Sequence, residues 1–297
     1  MALEDARRVV DQREGRIDPL EPSDRRALTE AGTRVFAFRS DRNRAVRSDG
    51  ALDPLWEILA LTPDGLPPGF VTLHTKLSDR IVEQRRRELG VVVSSGKWRL
   101  AEVVPLENNP LHTAVAELYG SDDPRRQLHL ALGGGNPTKL EAWARDRLDA
   151  LDGFSVRDLL ARVSTGALGP RIDSLLAEAC LSIREISGAR RAIASIPARR
   201  GQALSRWLDA VDDRSGARRK LPDLEQLEVA PRAVAETAIL VLNEDRRRGG
   251  GSAGKARTMI EGAVDLISPL LRRRIEIELA WITDTGEFDD PAWRLSL

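Results

Sequence analysis

The chain is short of most residues that mark a specific chemistry. It holds one cysteine, Cys180. A single thiol forms no intrachain disulfide, so a disulfide-stapled scaffold is excluded. Cys180 lies in the apolar stretch Leu175–Ile183 and reads as a small buried hydrophobe rather than a nucleophile. There are three histidines, His74, His112 and His129, and none stands at metal-ligand spacing from another or from Cys180. No metal or other cofactor is expected. Net charge is also lacking, with 46 basic residues against 46 acidic ones. Attraction to a polyanion or a membrane surface must therefore come from local patches. No apolar run approaches the ~20 residues that span a bilayer. The first fifteen residues are charged throughout, unlike a secretory leader. The expectation is a cytoplasmic protein that does not enter the membrane.

Lysine is scarce as well. Lys76, Lys97, Lys139, Lys220 and Lys255 are the only ones, so nearly all positive charge is arginine. Arginine forks suit phosphates and carboxylates, and they also serve as ordinary solvated charge.

What is present is helical periodicity in a chain of two-domain length. The 297 residues are 41% hydrophobic and 31% charged. The pattern predicts a mainly α protein with a smaller α/β N-terminal part. The first domain covers residues 1–105 and an all-helical domain follows over 106–297, with the boundary near Pro105–Pro110. In the first part, Leu3–Glu14 and Pro22–Glu30 are expected as helices, and Arg34–Phe38 as a strand. Asp53-Pro54 is a helix start. Pro67 and Pro68 open a short helix, or Phe70–His74 is a strand; the pattern leaves both open. Ser78 starts a helix ending at Leu89 before Gly90. Val91–Val93, the turn Ser94-Ser95-Gly96 and Lys97–Val104 form a hairpin, with Trp98 and Leu100 on one face.

In the second part, Asn109-Pro110, Asp123-Pro124, Asn136-Pro137, Gly169-Pro170, Pro231 and Ser268-Pro269 each predict a helix start. The last helix competes with a strand, because Ile275, Ile277, Leu279 and Trp281 alternate. Helix is preferred because Arg272/Glu276 and Arg274/Glu278 pair at i,i+4.

Familiar enzyme motifs fail on their details. Gly249–Ala256 has the spacing of a phosphate-binding P-loop up to Lys255, but Ala256 stands where Ser or Thr would hold magnesium. Gly249–Gly254 is expected instead as an interhelix linker. His74 and His112 share a Leu-His-Thr tripeptide, without the residue that paired-histidine phosphodiesterases place between His and Thr. No serine sits on a Gly-x-Ser-x-Gly turn.

The helix and hairpin at Ser78–Val104 resemble the recognition helix and wing of winged-helix DNA-binding domains. The resemblance covers about 70 residues. It implies Asp53–Leu61 as the first helix, Pro67–Lys76 as the second and Arg34–Phe38 as the small strand. Val82 and Leu89 would face the core. Asp79, Arg80, Glu83, Gln84 and Arg87 would face outward, where a major groove is read. Lys97 and Arg99 would lie on the wing near backbone phosphates. A second basic stretch, Ile183–Lys220, carries ten basic and four acidic residues and so has a local net of +6. It includes Arg190, Arg191, Arg199 and Arg200. The expected function is non-enzymatic nucleic-acid binding, to DNA or RNA, or membership of a nucleoprotein complex. The nucleic-acid-binding candidates are Arg80, Gln84, Arg87, Lys97, Arg99, Arg190, Arg191, Arg199 and Arg200. The alternatives are a scaffold whose helical domain binds a protein partner, and an enzyme using carboxylate chemistry without a recognisable motif.

Overall fold

The computed structural model describes residues 53–100, 109–212, 220–248 and 252–283. The helices expected at Leu3–Glu14 and Pro22–Glu30, the strand at Arg34–Phe38 and the triglycine Gly249–Gly251 lie outside them. The described protein is mainly helical: thirteen α-helices and one two-stranded sheet. The chain divides into two compact units, Met1–Leu106 and Glu107–Leu297.

In the first unit, α1 (Pro54–Leu59) begins where Asp53 accepts from the backbone N–H groups of Leu55 and Trp56, at 2.9 and 3.4 Å. The short acidic side chain meets donors that the first turn leaves unpaired. Pro68–Thr75 is a helix, α2, which resolves the ambiguity there. Its proline sits at the first turn, where the missing N–H costs nothing. Lys76 ends it in the left-handed conformation. α3 (Asp79–Glu88) follows, and Val82 and Leu89 are buried beneath it. Ser78 stands at its start but makes no side-chain cap bond.

The hairpin joins β1 (Val92–Ser94) to β2 (Lys97–Arg99) through Ser95 and Gly96, both at positive φ. Two central residues of that kind give the turn whose twist matches paired strands. Register pairs Val93 with Trp98. Leu66 adds an isolated antiparallel bridge to Trp98, with both N–H···O bonds at 2.8 Å. That pairing comes from the loop between α1 and α2, a segment that carries no strand pattern of its own.

In the second unit, each X-Pro start does open a helix: α4 (Leu111–Ala116), α5 (Pro124–Leu132) and α6 (Thr138–Asp149). Asn109, Asp123 and Asn136 accept from the N–H two residues on. α7 (Gly153–Leu160) leads to α8 (Pro170–Ser182). Every residue from Ile172 to Leu181 in α8 is buried, as befits a helix at the middle of a core rather than on its face. Its polar members are mostly paired. Asp173 accepts from the Gly166 N–H and the Ser195 hydroxyl, and Glu178 from Arg200.

α9 (Ile186–Ile193) packs on α8 through Gly188, Ala189 and Ala192. A Cβ at Gly188 would come within 2.8 Å of the Cys180 sulfur, so the small residue permits the close approach. α10 (Ala198–Val211) completes this core with Leu204 and Trp207. A second core joins α11 (Pro231–Arg248), α12 (Ala253–Val264) and α13 (Pro269–Thr283) through Val234, Ala238, Met259, Ile260, Leu271 and Ile275. α13 is helical throughout, and both anticipated i,i+4 pairs form, Arg272–Glu276 at 2.9 Å and Arg274–Glu278 at 3.7 Å. The linker is shorter than expected, because Ala253 and Gly254 already belong to α12. Among the described residues, no helix is long and apolar enough to cross a membrane.

Candidate nucleic-acid interface

α3 offers Arg80, Gln84 and Arg87 at i, i+4 and i+7, which puts them on one helical face. All three are exposed, as is Asp79. The helix is laced with local ion pairs. Glu83 takes Arg86 in a two-pronged bond, at 2.8 and 2.7 Å, and Arg87 through a single longer contact at 3.2 Å. Arg86, hydrogen-bonded to it, is the main reason the Glu83 carboxyl is held down to about 2. Arg85 is pinned between Glu88 and the cap residue Asp53, at 2.7 and 3.3 Å. Gln84 donates to Glu88. Arg80 makes no ion pair with a described residue.

The arginines of α3 therefore divide by role. Arg85 ties the helix to the start of α1. Arg86 lies 5.6 Å from the Trp98 ring and docks the helix against the hairpin. Arg80 and Arg87 project into solvent, with the Arg87 side chain 75% exposed. On β2, strand alternation sends Trp98 and Leu100 to one face and Lys97 and Arg99 to the other. Leu100 is buried, Arg99 exposed and Lys97 half-buried. The stems of Lys97 and Arg99 pass Gly65, where a Cβ would meet their own Cβ atoms at 3.3 and 3.1 Å.

The arginines of the helical unit are placed differently. Arg200 meets the buried Glu178 of α8 at 2.8 Å. Arg190 meets Asp212 at 3.0 Å, Arg206 meets Asp223 at 3.2 Å and Arg199 meets Glu225 at 3.5 Å. Glu178, Asp223 and Glu225 all lie outside Ile183–Lys220, so they escape a charge count taken along that stretch. Arg191 is exposed and makes no ion pair with a described residue.

The fold also joins two residues that sequence spacing kept apart. His112 of α4 and His129 of α5 are both buried, with their Nδ1 atoms 2.9 Å apart. One Nδ1 must donate and the other accept, so at least one ring is neutral. Tyr119 stacks on His129, and the Arg125 guanidinium covers Tyr119 at 4.7 Å. The visible signal is only that both lie on short helices joined by one turn. No group of three or more metal-binding side chains occurs among the described residues. Cys180 is buried, and loss of solvation pushes its thiol up to about 12, which leaves it protonated and unreactive.

Compared with protein-family models, curated proteins and solved structures, the chain matches none.

Proposed function

We propose that the protein binds duplex nucleic acid through a winged-helix-like arrangement in its first unit. The observation that carries this reading is one solvent face on α3, running directly into a tight hairpin that the helix packs against. The order helix, edge pairing at Leu66, helix, helix, hairpin supports it, with Leu66 filling the small-strand role that the winged-helix resemblance assigned to Arg34–Phe38. Gln84 would reach the groove, while Arg80, Lys97 and Arg99 hold the adjacent backbone. Arg87 can exchange Glu83 for a phosphate at little cost. Glu83 keeps its stronger two-pronged partner Arg86, and Arg87 gives up one exposed contact.

The test is the affinity of the full chain for a generic duplex, and for single-stranded RNA, across a salt series. Four phosphate contacts, from Arg80, Arg87, Lys97 and Arg99, predict a log–log slope of about −3.6 and roughly 150-fold weaker binding between 50 and 200 mM salt. Arg80→Ala with Arg87→Ala should lower the slope by about 1.8. Unchanged affinity of the double variant at matched salt overturns the reading.

A second reading, a helical unit that docks a protein partner, is favoured by apolar exposure near α13. Trp281 is 68% exposed, and Leu266 and Leu270 are exposed as well. Association driven by apolar burial would show a shallow salt dependence.

A further inference from the structure

A cavity of about 190 Å³ opens in the helical unit where the end of α6 meets the starts of α11 and α13. That is below the ~300–1,000 Å³ of pockets that enclose drug-sized ligands. Three arginines line it, Arg145, Arg200 and Arg232, against two carboxylates, Asp149 and Glu178.

The carboxylates do not use up the arginines. Glu178 binds Arg200 through one Nη at 2.8 Å, and the Nε of Arg200 remains buried without a hydrogen-bond partner. Arg232 is only 7% exposed. One of its Nη atoms donates to the Leu148 carbonyl in the cavity wall at 3.3 Å, which places the guanidinium at the cavity. Its Nε also lacks a hydrogen bond, the nearest carboxylate oxygen being that of Glu236 at 3.9 Å. Arg145 stands exposed at the rim and makes no ion pair with a described residue. Three guanidinium groups against two carboxylates leave positive charge at the cavity that an oxyanion would meet through charge-assisted bonds.

The backbone adds to this field. Ala230 leads into α11, whose first turn holds Pro231 and Arg232, and Ser268 precedes α13, so two long helices present their positive ends to one cavity. The opposing negative end of α6 is largely satisfied. Leu148 O accepts from Arg232, and Asp149 O accepts from the Ser268 hydroxyl at 3.4 Å.

We infer that this cavity binds a small phosphate, either inorganic phosphate or the phosphate of a small monoester. The size suits a phosphate group, and the donor set suits a tetrahedral oxyanion. The inference goes beyond the duplex-binding reading, since it concerns the other unit and its test contains no nucleic acid.

The experiment is calorimetric titration of the full chain with potassium phosphate, and separately with glycerol 2-phosphate, at ionic strength held constant with potassium chloride. Saturable binding of phosphate is expected. Arg145→Ala, at an exposed rim position that spares the fold, should weaken it about tenfold, the size of one charge-assisted contact. Asp149→Asn, also exposed, should tighten it by removing a like charge. Phosphate binding without glycerol 2-phosphate binding assigns the free anion, and binding of both assigns the monoester. No saturable phosphate heat, or equal affinity in wild type, Arg145→Ala and Asp149→Asn, overturns the inference.

Discussion

Gly65→Ala tests the contact on which the first unit depends. Gly65 has φ +75°, where an L side chain costs about 1–2 kcal/mol. A Cβ there would also stand 2.9 Å from the Trp98 carbonyl oxygen. That atom is backbone and belongs to the Leu66–Trp98 pairing, so it cannot swing aside as a side-chain tip would. Opening the contact strains two hydrogen bonds of 2.8 Å, each contributing about 1 kcal/mol net. The expected total is about 3–4 kcal/mol. Gly90 supplies the control, because its φ is +64° and a Cβ there meets nothing within 4 Å. Gly90→Ala should therefore cost only the conformational part, about 1–2 kcal/mol. Native-state hydrogen exchange at the Leu66 and Trp98 amides reads the difference. With about 2 kcal/mol between the variants, these amides should exchange up to about thirtyfold faster in Gly65→Ala. Equal exchange in the two variants would refute the account of how α1, Leu66 and the hairpin are held together.

Three further outcomes follow from the helical unit. Cys180 should resist thiol reagents at pH 8 in the folded chain and react on unfolding, because burial keeps it protonated; rapid native-state labelling would contradict this. Glu236 is buried, accepts from Arg274 and faces Arg232. Glu236→Ala should destabilise the unit by about 3 kcal/mol, read as a fall in its calorimetric melting temperature, and a loss under 1 kcal/mol would show that these arginines do not depend on that carboxylate. Burial raises the Glu278 carboxyl above its ordinary 4.5, against the opposing effect of Arg274. The folded state then holds a proton that the unfolded state has lost, so stability falls as pH rises from 4.5 through the raised value. Glu278→Gln should raise the urea midpoint at pH 7 and leave it unchanged at pH 4; the reverse pattern would mean Arg274 outweighs burial.

What could be read from the sequence was what is decided within a few residues. Asp53-Pro54, Asn109-Pro110, Asp123-Pro124 and Asn136-Pro137 announce helix starts because cap and first turn lie side by side in the chain. Ser94–Gly96 announces a hairpin because its turn needs positive φ. The preference for helix at α13 held for the same reason, since its ion pairs are one turn apart. Pairings across longer separations left no trace. Leu66 meets Trp98 without any alternating pattern of its own, and His112 meets His129 only because α5 folds back on α4. Of the candidate residues, Arg80, Gln84 and Arg87 could be grouped in advance because helical spacing alone sets their face.

The arginines of Ile183–Lys220 show where that logic stops, and they bear on how any nucleic acid is held. Along the chain the stretch counts +6. In space, Glu178, Asp223 and Glu225 approach from elsewhere and meet Arg200, Arg206 and Arg199. An arginine already paired with a carboxylate releases a counterion only if it abandons that partner, so it adds less than a full contact to the salt slope. Arg200 is least able to do so, because leaving would strand the buried Glu178. The number of arginines therefore overstates the phosphate contacts this unit can make. If α3 and the hairpin carry binding, the slope should stay near −3.6, and Arg190→Ala with Arg191→Ala should move it by far less than Arg80→Ala with Arg87→Ala. If the helical unit carries it through six or more contacts, the slope should be about −5.4 or steeper, and the ranking of the two double variants should reverse.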